Sequence, residues 1–176
     1  MARQIALLRG INLGARNRVP MPALRDLLAE LGYEDVATEA QSGNVVLRST
    51  ATAAQLERDL QSHVAEAFGV DTPVIVRTRT QLAKVVADNP LPEAEADPKR
   101  LQVVFLSGPV TAPIALAVEA ADLAPEQVAV RGREIYAWHA DGVQKSPLAR
   151  LLTDSKLGVT ATARNWNTVT KLLGLA

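Results

Sequence analysis

The chain has 176 residues, 48% hydrophobic and 22% charged, and its 19 basic and 19 acidic side chains leave a formal net charge of zero. This composition excludes a disordered or collagen-like chain. The charge balance removes any general electrostatic attraction to nucleic acid or to an anionic membrane as the default expectation. Cysteine is absent, so disulfides, thiolate nucleophiles and sulfur-ligated metals are excluded, and a reducing, cytoplasmic setting is expected. Aromatic residues make up 3%, so the core must be aliphatic. Met1–Arg9 is too short and too soon charged for a signal peptide, and no apolar run approaches the roughly 20 residues needed to span a bilayer; no membrane partner is expected.

Gln4–Leu8 reads as a buried strand, followed by a Gly-, Asn- and Arg-rich loop from Gly10 to Val19. Pro20 and Pro22 suit a first helical turn, where a missing N–H costs little. Met21, Leu24, Leu27, Leu28 and Leu31 then recur at helical spacing up to Gly32. Residues 35–39 and 44–49 are short strands about a tight turn at Ala40–Gly43. Thr52 with Gln55 forms a capping box ahead of Leu56, Leu60, Val64 and Phe68, with Gly69 as the stop. Pro73–Arg77 is a strand, and a short helix follows over 80–87. The order β-α-β-β-α-β is that of the ferredoxin-like, split βαβ unit.

Residues 88–98 hold three prolines and four acids, the mark of a surface linker. Beyond it the order repeats. Leu101–Leu106 is a strand, Pro113 opens a helix, and Gln127–Arg131 with Glu134–Trp138 make a hairpin about Gly132. Ser146–Pro147 is an N-cap followed by an N1 proline, opening a helix that runs to Gly158. Val159–Ala163 is a last strand, and Asn165 caps a last helix carrying Trp166, Val169, Leu172 and Leu173. The expectation is therefore an α+β protein of two ferredoxin-like halves with added short helices: residues 1–88, a linker at 89–100, and residues 101–176. The halves share an element order but no evident residue-level identity. The first 88 residues carry ten basic and ten acidic side chains, and the last 88 carry nine of each.

Phosphate-binding P-loop, dinucleotide and nucleophile-elbow patterns are missing. His63 and His139 have no metal-ligand spacing, and His139 beside Asp141 reads as a surface pair. Neither a metal nor a cofactor is expected. Three polar segments stand at strand ends. Arg9-Gly10-Ile11-Asn12-Leu13-Gly14 follows the first strand, where glycines allow close backbone approach and successive N–H groups can cup an anion. Gln41-Ser42-Gly43-Asn44 fills the hairpin turn. Thr162-Ala163-Arg164-Asn165-Trp166-Asn167-Thr168 opens the last helix, and a helix N-terminus with a nearby arginine suits phosphate or carboxylate. Each segment alone also reads as an ordinary turn or cap. Residues 1–25 hold Arg3, Arg9, Arg16, Arg18 and Arg25 with no acid, and residues 155–176 hold Lys156, Arg164 and Lys171 with none.

The same segments, with Asn89-Pro90 between them, carry a resemblance over essentially the whole chain to the bacterial family known as domain of unknown function 1697. The family's recurrent positions fall on Arg9, Gly10, Asn12, Gly14, Met21, Gln41, Ser42, Gly43, Asn44, Asn89, Pro90, Arg164, Asn165 and Thr168. The resemblance implies two ferredoxin-like halves and no particular activity. This chain departs from it with Ala15 and Arg16 in place of a glycine and a lysine, and with Glu39 and Ala40 in place of an aromatic residue and isoleucine.

The residues point first to a module that binds an anionic small molecule through Arg9, Gly10, Asn12, Gly14, Gln41, Ser42, Gly43, Asn44, Arg164, Asn165 and Thr168. An enzyme using Ser42, Thr162 or Thr168 beside Arg9 and Arg164 is the second reading, with Glu39 the nearest acid in sequence. An oligomeric or structural role through sheet edges is the third. Nucleic acid ranks behind a small molecule, because the central strands offer only Phe105 for base stacking. Oligomeric state is not legible.

Overall fold

The computed structural model describes residues 1–176 and divides them into two compact units, Met1–Lys84 with Lys171–Ala176, and Val85–Thr170. The first unit runs β1 (Ala2–Leu8), α1 (Met21–Glu30), β2 (Glu34–Glu39), β3 (Asn44–Ser49), α2 (Ala53–Phe68), β4 (Val74–Thr78) and α3 (Arg79–Ala87), whose last turn enters the second unit. Its antiparallel sheet has the order β2-β3-β1-β4. Side chains alternate across a strand, so Ala6, Leu8, Val45, Leu47, Val74 and Val76 share one face. There they meet Leu24 and Leu28 of α1 and Leu56, Leu60 and Val64 of α2. Each such aliphatic burial contributes about 1.5–3 kcal/mol. The Thr52–Gln55 capping box forms as expected.

The second unit repeats this plan with β5 (Leu101–Leu106), α4 (Ala112–Glu119), β6 (Gln127–Arg131), β7 (Glu134–Trp138), α5 (Pro147–Leu151), α6 (Asp154–Leu157), β8 (Ala161–Asn165) and the start of α7 (Trp166–Leu175). Its sheet order, β6-β7-β5-β8, is that of the first unit. The two halves are ferredoxin-like α+β units. The acidic, proline-rich stretch is folded: Asn89 accepts from Leu91 N through Oδ1 at 2.9 Å and donates to Glu95 at 2.7 Å, and Pro92–Ala96 forms a 3-10 helix.

Three sequence expectations are corrected. The helix expected from Ser146 to Gly158 is two short helices, because the chain breaks at Leu152 (φ −97°, ψ 30°) and restarts after Thr153. The last strand begins at Ala161, two residues late, and extends through Asn165 because it follows the register Leu106↔Ala161 to Gln102↔Asn165 set by β5. His139 is not part of a surface pair with Asp141. It is fully buried, and its Nδ1 lies 2.7 Å from the Ser146 hydroxyl.

Register also exposes a residue-level repeat that composition hides. Leu8↔Val74 and Leu106↔Ala161 are corresponding pairs, so Gln4 corresponds to Gln102 and Arg77 to Arg164. Both arginines are buried, 2% and 8% exposed. Each donates Nη1 to the carbonyl of the preceding residue: Arg77 to Val76 at 3.0 Å, and Arg164 to Ala163 at 2.9 Å. The next residue in each case caps the following helix: Thr78 bonds Gln81 N at 3.2 Å and Asn165 bonds Thr168 N at 2.9 Å. A buried guanidinium costs several kcal/mol unless bonded, so its recurrence at one topological position is a built feature of the fold.

The Ser146 Oγ accepts from Ala149 N at 3.0 Å, which caps α5, and Leu148 N donates to Glu126 at 2.9 Å. Burial lowers the His139 pKa below its usual 6.5, with Glu126 pulling weakly the other way. Folding therefore favours neutral His139. The resulting stabilisation is full above pH 6.5 and declines as the pH falls below it, where the unfolded chain takes up the proton first. Urea denaturation of wild type should lose stability between pH 7 and 5, and His139→Gln should flatten that part of the profile; an unchanged profile in the variant would show that His139 is not the group responsible.

Candidate functional site

Two of the three polar segments meet at the end of β1. Leu8 N donates to Gly43 O at 2.8 Å, and Arg9 N to Pro73 O at 3.1 Å. The Thr72 hydroxyl donates to the Arg9 carbonyl. The hairpin turn is therefore seated on the last residue of β1. Gly43 is required there, since at φ 78° an added Cβ would come within 2.8 Å of Leu8 Cβ and 2.9 Å of Ile11 Cδ1.

Asn12 organises the loop. Its side chain donates to Gln41 O at 2.7 Å and to Val19 O at 2.9 Å, and accepts from Val19 N at 2.9 Å. Its backbone N donates to Asn17 O at 2.9 Å, and the Asn17 amide reaches back to Gly10 O at 3.3 Å. Asn44, fully buried, does the same for the hairpin, donating to Glu39 O at 3.0 Å and Ser42 Oγ at 3.1 Å. Both asparagines hold backbone in place, so their side-chain amides are committed to the protein.

What this scaffold presents is a backbone concavity. The sign of φ alternates along the loop, positive at Gly10 (60°), Asn12 (55°) and Gly14 (69°) and not at Ile11 or Leu13. Alternation of this kind is the backbone pattern of the N–H-lined concavities called nests. The N–H groups of Leu13 and Gly14 have no acceptor within the chain. A cavity of about 400 Å³ opens beside them, lined by Asn12, Gly14, Arg18, Val19, Pro20 and Gln41. Arg18 and Arg16 are both exposed.

Sequence reasoning underweighted Arg18, which supplies the charge of the cavity wall, and Asn17, which closes the loop. The signal was the run of five arginines without an acid in residues 1–25. Arg9 is half-buried with its backbone pinned, and it does not line this cavity. Glu39 pairs with Lys171 at 3.2 Å.

Arg164, Asn165 and Thr168 lie in the second unit. Besides the Ala163 carbonyl, the Arg164 guanidinium donates to Thr162 Oγ1 at 2.7 Å. Burial lowers its pKa to about 10, so it remains charged at neutral pH. Asn165 is the cap of α7.

Asn12→Ala should cost about 1–3 kcal/mol in denaturant stability, because the Val19 N–H and two carbonyls lose their partner. Gly43→Ala should cost a similar amount through strain. In both variants the amide signals of residues 10–19 should move or broaden; unchanged signals would show that the loop does not depend on these two residues.

Among solved structures, the chain is similar to the conserved bacterial protein SP0830 from Streptococcus pneumoniae, at 24% identity and a TM-score of 0.80, over 99% of this chain and 98% of that one. That likeness is one of fold. No curated protein matches the chain. A family model matches residues 1–136, through both polar segments that build the loop, the hairpin and the cavity beside them, and the chain accordingly belongs to the family described as Protein of unknown function (DUF1697).

Proposed function

We propose that the first unit is a binding module for small molecules bearing a phosphate or carboxylate, held by the Arg9–Gly14 loop against the Gln41–Asn44 turn. The observation that carries this reading is the alternation of φ from Gly10 to Gly14 beside a cavity walled by Arg18. Such a nest supplies partial positive charge from backbone N–H groups, and a guanidinium adds a full charge with paired donors. Asn12 and Asn44 support the site by holding its shape before a ligand arrives, which lowers the ordering cost of binding.

Comparison between the units favours the first as the site. The position of Arg9 is taken by Ser107 in the second unit and that of Asn44 by Glu134, as the corresponding pairs Leu7↔Asn44 and Phe105↔Glu134 show. The long loop before α1 is matched there by only Ser107–Thr111 before α4. The equivalent corner of the second unit thus carries an acid and lacks the glycine-rich arm. We further propose Arg164, Asn165 and Thr168 as a second anion-binding segment, and the cytoplasm as the compartment in which this cysteine-free chain works.

Titration of the ¹⁵N-labelled chain with inorganic phosphate, acetate, nucleoside monophosphates and a short oligonucleotide tests the proposal. Phosphate-bearing small molecules should shift the Leu13 and Gly14 amides. Arg18→Ala should weaken binding by about tenfold, the usual cost of losing a charged hydrogen bond. Arg164→Lys read in the same titration assigns or removes the second segment. If those amides stay still with every anion, or if Arg16→Ala combined with Arg18→Ala binds as tightly as wild type, the site is not there. A shift with the oligonucleotide alone would transfer the reading to nucleic acid.

A further inference from the structure

The first unit has a second cavity at the other end of its sheet. β1 and β3 are antiparallel, with Leu7↔Asn44 at the end that carries the Gly10–Val19 loop and Ala2↔Ser49 at the opposite end. A hollow of about 460 Å³ lies at that opposite end. It is within the size range of small-molecule sites. Met1 and three stretches wall it: the turn leaving α1 at Leu31, Gly32 and Tyr33, the end of β3 and the following residues from Arg48 to Ala51, and the first two turns of α2 through Gln55 and Asp59.

The charges of this hollow are opposite in sign and incompletely compensated. Arg48 shares Asp35 with Arg3, at 3.6 and 3.4 Å, so two guanidiniums divide one carboxylate. Exposed pairs of this kind hold each other weakly, and Arg48 is available to a second anion. Asp59 makes no ion pair and its carboxylate no hydrogen bond; its backbone carbonyl, within the α2 ladder, also lies 2.6 Å from His63 Nδ1. Gln55 has its Oε1 occupied by Thr52 N and Oγ1 at 3.0 and 2.9 Å, which orients the amide and leaves Nε2 as a donor. Tyr33 is half-buried, and burial first, then the nearby Asp59 charge, raises its pKa, so its phenol stays neutral and able to donate. Leu31, 38% exposed, and Ala51 add an apolar patch.

A single anion would gain from Arg48 and suffer from Asp59; a simple cation would meet the reverse. A ligand with both charges a few bonds apart satisfies both. We propose that this cavity binds a free α-amino acid with a short aliphatic side chain, its ammonium at Asp59, its carboxylate at Arg48 and Gln55, and its side chain against Leu31 and Ala51. The inference is independent of the anion site at the other end of the sheet.

The test is an NMR titration of the full ¹⁵N-labelled chain with L-leucine, leucinamide and 4-methylpentanoate. Leucine should shift the Gly32, Thr50 and Gln55 amides, with a dissociation constant of about 1 mM or tighter, whatever its carboxylate does at the separate Leu13 and Gly14 amides. Leucinamide lacks the carboxylate and 4-methylpentanoate lacks the ammonium, so each should bind about tenfold more weakly or worse. Asp59→Asn should erase the preference for leucine over 4-methylpentanoate, and Arg48→Gln its preference over leucinamide, whereas Arg18→Ala should change nothing. The proposal is overturned by the absence of any shift at about 10 mM leucine, by equal binding of the single-charge analogues, or by shifts confined to residues 10–19. The analogue series needs no variant, so a folding defect in either substitution would not blunt it.

Discussion

The central strand of each unit is hydrogen-bonded along both edges, and this constraint governs where chemistry can stand. β1 pairs with β3 and β4, and β5 pairs with β7 and β8. Residues Ile5–Leu8 and Val103–Leu106 are buried on both faces. Over these stretches the sequence is a continuous apolar run, and the buried polar side chain of β1, Gln4, donates its Nε2 to the Ala51 carbonyl at 2.9 Å. Polar groups are displaced to the strand ends, where the chain turns. The Arg9–Gly14 loop stands at one such end, and the cavity at Tyr33, Arg48 and Asp59 lies at the other end of the same sheet.

The loop after β1 illustrates how a mobile-looking sequence becomes a defined surface. Its backbone groups are bonded to asparagine side chains and not to a regular element, which is the usual local alternative to helix or ladder. Asn12 closes the loop onto both Val19 and Gln41, and Gly43 lets the hairpin sit against Leu8 and Ile11. The asparagines that look most like ligands in the sequence therefore hold the loop, and in the proposed site the Leu13 and Gly14 N–H groups with Arg18 form the face offered to a ligand. The second unit shares the scaffold, down to the buried arginine at the end of its last strand, yet carries Ser107 and Glu134 where the first has Arg9 and Asn44.

Much of this was legible in the chain. Helical spacing of Leu56, Leu60 and Val64, the Thr52–Gln55 box, and the hairpin about Gly132 are local signals, and local hydrogen bonding realises them directly. The β-α-β-β-α-β order follows from such elements read in sequence, and the sheet order β2-β3-β1-β4 is the ferredoxin-like one that goes with it. Less legible was the region after Ser146, where Leu148, Leu151, Leu152 and Leu157 carry one apolar rhythm across two separate helices. Periodicity counts apolar faces and is blind to a backbone break at Leu152.

The sequence by itself determined the elements, their order and the polar character of the strand ends, because each depends on neighbours within a few residues along the chain. Tertiary structure alone decided which polar side chains turn inward. His139 is buried against Ser146, Asn12 and Asn44 commit their amides within the protein, and Arg77 corresponds to Arg164, because these outcomes depend on strand register, as in Leu8 with Val74, and on closure between residues far apart in the chain, 29 positions for Asn12 and Gln41. A hydrogen bond's partner is chosen by position in space, and such pairings leave no periodic trace in the order of residues.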